Sequence, residues 1–106
     1  MKRTNKSACG TSFHGTTITS TVNILKEVLG EPQNYSSGDD KTTHQWTMLN
    51  DFEDLFTVYD WKEYRKFGDD EYVEFHIGGK RLGSTEQAKK EILAELLNRA
   101  YTRNNF

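Results

Sequence analysis

Apolar positions recur along this chain with two different spacings, and the changes of period mark its elements. Ile24, Leu25, Val28 and Leu29 form one stripe at helical spacing, and Ser20 or Thr21 stands where a cap for that helix is needed. Gly30 and Pro32 stop it, the first as a left-handed cap and the second because its ring cannot continue a helix. A period of two then takes over. Over 42–49, His44, Trp46 and Met48 alternate with Thr43, Gln45, Thr47 and Leu49. Over 55–61, Phe56 and Val58 alternate with Leu55, Thr57, Tyr59 and Trp61. Over 72–77, Val73, Phe75 and Ile77 share one face while Tyr72, Glu74 and His76 share the other. Residues 50–54 are few enough for a hairpin, so these runs read as an antiparallel meander that ends at Gly78-Gly79. The helical period returns after Ser84-Thr85-Glu86-Gln87, which has the form of a capping box. Ile92, Leu93, Leu96, Leu97 and Ala100 follow on one face. With a short strand expected at 12–18, the order is β-α-β-β-β-α. The fold class is α+β: two layers, an antiparallel sheet of three to four strands with two helices on one face.

Composition limits the size of this core. The chain has 106 residues, of which 34% are hydrophobic, so one domain is expected at 12–106 behind a flexible basic arm at 1–11. Six Phe, five Tyr and two Trp offset the low aliphatic content and argue against disorder. No window approaches the roughly 20 apolar residues that cross a bilayer, and the first ten residues lack a secretory apolar segment. A soluble, cytoplasmic protein with no membrane partner is the expectation. Cys9 is the single cysteine, which excludes an internal disulfide and a thiolate zinc cluster. No metal, no cofactor and no catalytic residue is assigned.

Charge is unevenly placed despite a net value of -2. Between Asp39 and Phe75 there are eleven acids against four bases, a balance of -7, so the remainder carries +5. The acidic stretch also holds Trp46, Tyr59, Trp61, Tyr64 and Tyr72. Rings rimmed by charge have the composition of a protein-binding surface, and Asp60, Trp61, Glu63, Tyr64, Asp69, Asp70 and Glu71 are the expected contacts. A dense negative side also imitates nucleic-acid phosphate. The plainer reading is that half the rings are core, the rest are cross-strand pairs, and the acids are a solvated face.

A second candidate is the turn between the last strand and the last helix. Gly78, Gly79, Lys80, Arg81 and Ser84 bring together glycines, two cations and a helix start, a combination that suits a phosphate or carboxylate. The spacing is not that of a nucleotide-binding P-loop, and a tight turn explains the glycines equally well. His14, His44 and His76 fall on separate elements without metal-ligand spacing. A His44 and His76 pair across the sheet with Glu74 or Asp60 suits acid-base work, and a small hydrolase needs the histidines within hydrogen-bonding reach of one another or of a carboxylate.

The segments Phe56-Thr57-Val58-Tyr59-Asp60-Trp61-Lys62 and Glu74-Phe75-His76-Ile77-Gly78-Gly79-Lys80, with Leu25-Lys26-Glu27-Val28-Leu29-Gly30-Glu31-Pro32 before them, resemble small accessory proteins of bacteriophages. The resemblance spans about three quarters of the chain. It implies an inhibitor of host defence, of the anti-CRISPR or a similar anti-defence kind, that occludes a protein surface, imitates DNA or sequesters a signalling nucleotide. It transfers no catalytic residue. The expected function is therefore non-enzymatic binding of a host protein or nucleoprotein complex through an acidic, aromatic sheet surface. The alternatives are an oligomeric sponge for a phosphorylated or cyclic-nucleotide ligand, built at a homo-oligomer interface, and a small hydrolase.

Overall fold

A computed structural model describes residues 1–4, 10–32, 44–60, 68 and 70–104, with side chains up to Arg99 in the last helix. The elements are β1 (Lys2–Arg3), β2 (Ser12–Ser20), α1 (Val22–Leu29), β3 (Gln45–Leu49), β4 (Leu55–Asp60), β5 (Val73–Gly79) and α2 (Leu82–Asn104). The five strands form one antiparallel sheet in the order β1-β3-β4-β5-β2. The architecture is α+β as the periodicity predicts, with one strand more than expected. The addition is β1, two residues of the expected arm that pair with Met48 and Leu49 at one sheet edge. Two residues are too short to show a period. Arg3 fastens this strand further by donating to the Leu29 carbonyl at 2.9 Å.

α1 begins and ends where its sequence indicates. Thr21 is the cap, its hydroxyl accepting the Ile24 N–H at 3.0 Å, and Gly30 closes the helix at φ 87°, donating its N–H to the Lys26 carbonyl. α2 differs. It starts at Leu82, so Ser84 and Thr85 lie inside its first turn and the capping box does not form. Their hydroxyls are engaged elsewhere: Ser84 donates to the Asp54 carboxylate at 3.2 Å, and Thr85 donates to the Leu82 carbonyl and meets the Thr16 hydroxyl, each at 2.7 Å.

Between helices and sheet lies a core of Ile18, Val22, Leu25, Leu29, Trp46, Met48, Phe56, Val58, Val73, Phe75, Ile77, Ala88 and Ile92. The strand members are alternate positions of β2, β3, β4 and β5, and Val73, Phe75 and Ile77 share one face as their spacing predicts. Trp46 is wholly buried, donates its indole N–H to the Gly30 carbonyl at 2.8 Å and packs edge-on against Phe75. Asn50 organises the β3–β4 turn, its side-chain oxygen accepting the N–H groups of Phe52 and Asp54.

Candidate binding face

Period-two alternation sends a second set of side chains to the sheet face away from the helices. In register across it run Gln45, Tyr59, His76 and Thr17, and beside them Thr47, Thr57, Gly78 and Phe13. Thr47, Leu49, Leu55 and Thr57 are buried, so access to this face lies over β5 and β2. There the Phe13 ring stacks on the His76 imidazole, with centroids 3.9 Å apart and planes 13° from parallel, and remains 43% exposed. Tyr59 meets the same imidazole edge-on at 5.6 Å. Gly78 makes the close fit here, because a Cβ on it would stand 2.7 Å from the Thr57 hydroxyl oxygen and 3.4 Å from the Tyr59 ring. Burial lowers the His76 pKa against the opposing pull of Glu74, and burial raises that of the Tyr59 phenol. Exposed Glu74 and Tyr72, the latter at 66%, border the group.

Several expected site residues are placed differently. Asp60 is not on the surface: it is 1% exposed on the helix-facing side, because it continues the Phe56, Val58 alternation inward. Its carboxylate accepts the His44 backbone N–H at 3.0 Å and bonds the His44 ring at Nδ1, also at 3.0 Å. A buried carboxylate needs such partners, since desolvation without them is costly. Trp46 is core, which removes it from the expected aromatic surface. Asp70 is exposed and accepts from the Asn23 amide at 2.7 Å, and Glu71 is half-buried. Trp61, Glu63, Tyr64, Asp69 and Cys9 lie outside the described residues. Phe13 was not singled out by sequence, because Gly15, at φ 94° in an irregular stretch between Phe13 and Thr17, interrupts the alternation that would have revealed it.

The glycine turn is also defined. Gly78 and Gly79 are buried strand residues without positive φ, so their amides do not form a concave nest. A Cβ on Gly79 would come within 2.9 Å of the Thr85 methyl, which makes close helix packing its role. Ser84 and Arg81 both point to the Asp54 carboxylate, at 3.2 and 3.4 Å, and Lys80 is exposed. An external anion would compete with this internal one.

The histidines do not meet. His44 lies on the helix side and His76 on the other, while His14 bonds the Gly79 carbonyl at 3.0 Å. Among the described residues, no group of three or more His, Cys, Asp or Glu could hold a metal ion, and no helix is long and apolar enough to cross a membrane. Comparison with protein-family models, curated proteins and solved structures finds no match.

Proposed function

We propose that this chain is a non-enzymatic binding protein that docks a macromolecular partner on the aromatic platform of Phe13, His76 and Tyr59, with Tyr72 and Glu74 at its border. The observation that carries the reading is the Phe13 ring, held flat on His76 yet 43% exposed. A ring fixed before binding loses little conformational entropy when a partner covers it, and such rings dominate interface energetics. Glu74, on the same face as His76, supplies negative charge for orientation. The partner class follows from the bacteriophage resemblance: a host defence or nucleic-acid-handling factor, met in the cytoplasm. Capture from host lysate compares the unaltered chain with a Phe13→Ser, Tyr72→Ser variant. A protein retained by the first and lost by the second supports the reading; the same retained proteins on both contradict it.

A second reading rests on the 3.0 Å contact between His44 and Asp60, the carboxylate-oriented imidazole that a small hydrolase would need. The same geometry serves structure, because Asp60 also takes the His44 backbone N–H. Ester and phosphoester hydrolysis lost in His44→Gln with the fold retained would favour the hydrolase; absence of any turnover by the unaltered chain would eliminate it.

A further inference from the structure

The accessible strip of the uncovered sheet face is aromatic and neutral except at Glu74. Tyr72, just ahead of β5, and Glu74 and His76 within it alternate with the buried Val73 and Phe75, so the three follow one another at about 6.6 Å. On β2, Thr19 stands opposite Glu74 and Thr17 opposite His76, and the Phe13 ring lies over the imidazole. The Glu74 carboxylate is therefore bordered by Tyr72 on one side and by the stacked Phe13 and His76 rings on the other. Glu74, Tyr72 and Phe13 are all exposed.

Among the described residues, no Lys or Arg pairs with Glu74. Lys2, at the far edge of the sheet, is taken by Glu53 at 3.1 Å, and Arg81 by Asp54 at 3.4 Å. Lys80 stands beyond the end of β5, roughly 20 Å of strand away from Glu74. His76 is chiefly neutral at pH 7 because burial lowers its pKa, and so supplies no lasting counter-charge. A carboxylate set among rings in this way attracts a cation and repels phosphate, which favours a cationic protein group over nucleic acid as the occupant.

We propose that the group seated on this platform is an arginine side chain of a protein partner, its guanidinium stacked on the uncovered face of Phe13 and its N–H groups donating to the Glu74 carboxylate. The inference rests on the reading that this face docks a partner, and narrows that partner to a protein with a protruding arginine. His76 covers one face of the phenyl ring and Tyr59 meets His76 edge-on, so the ring is held with its other face outward. A guanidinium is planar and weakly hydrated, and it stacks on a ring while its fork of donors reaches a carboxylate. A lysine ammonium offers a point charge and no plane to stack. The step of about 6.6 Å from His76 to Glu74 lets one such head group meet both the ring above His76 and the carboxylate. Tyr72, on the other side of Glu74, shields the pair from water once the partner is seated.

Amide chemical shifts of the full chain report the contact when N-acetylarginine amide is added to on the order of 30 mM, with the uncharged citrulline analogue of similar shape in a parallel titration. The arginine compound is expected to move the amides of Phe13, Glu74 and His76, and the citrulline compound to move them about threefold less. Glu74→Gln, a change at an exposed position, is expected to reduce the arginine response to the citrulline level, and Phe13→Ala to remove both. Equal responses to the two compounds, no response to either, or an arginine response undiminished in Glu74→Gln overturns the proposal. Capture from host lysate separates this failure from that of the docking face itself. A protein lost by the Phe13→Ser, Tyr72→Ser variant but retained by Glu74→Lys leaves the platform as a docking face and overturns the arginine.

Discussion

Phe13 lies flat on His76 at 3.9 Å, joining the edge strand β2 to β5 on the face that the helices leave uncovered. Because burial lowers the His76 pKa, the folded chain holds fewer protons there than the unfolded chain just below pH 6.5. The stability due to this group is complete above pH 6.5 and declines as pH falls toward the folded value. Urea midpoints at pH 7.5 and pH 5 should therefore fall further apart for the unaltered chain than for His76→Phe. Equal pH sensitivity in the two proteins would mean that the His76 environment does not bear on stability.

Asp60 ties the start of β3 to the end of β4 through two bonds to His44. Asp60→Ala leaves the His44 N–H without that acceptor and opens space in the core, so a loss of about 2–4 kcal/mol is expected by urea unfolding. Asp60→Asn keeps an acceptor and should lose less. If Asn is the more damaging of the two, the pair is held by charge and not by hydrogen-bond geometry.

Gly78 has a packing role that a double substitution can isolate. Gly78→Ala places a methyl 2.7 Å from the Thr57 oxygen in a buried site, at an expected cost of about 1–3 kcal/mol. Thr57→Ala removes that oxygen. The double variant should be less destabilised than the sum of the singles, and simple additivity would place the obstruction elsewhere.

The turn at Arg81 and Ser84 already contains an anion, the Asp54 carboxylate. Inorganic phosphate and a panel of cyclic nucleotides should leave the melting temperature of the unaltered chain unchanged, whereas a ligand at 100 times its dissociation constant would add about 2.7 kcal/mol. Stabilisation by a nucleotide would favour the sponge reading over the binding face.

Much of this fold was legible because its core obeys simple periods. Trp46, Met48, Phe56, Val58, Phe75 and Ile77 all point inward as their spacing requires, and Thr21 and Gly30 delimit α1. The same alternation places Asp60 inside with Phe56 and Val58, but its charge suggested surface, and only the position of His44 shows how burial is tolerated. β1 is too short for periodicity, and the start of α2 depends on Asp54, thirty residues from Ser84, which takes the hydroxyl that a capping box would use. Phe13 could not be placed because its neighbour across the sheet, and hence its contact with His76, is set by the irregular register around Gly15.

Two phenylalanines with exposed rings allow a direct test of the binding face. Phe13 belongs to the platform, whereas Phe52 sits on the β3–β4 turn and is 72% exposed. Titration calorimetry with the captured partner should show at least tenfold weaker binding for Phe13→Ala, about 1.4 kcal/mol, and unchanged binding for Phe52→Ala. Undiminished affinity in Phe13→Ala would contradict the account.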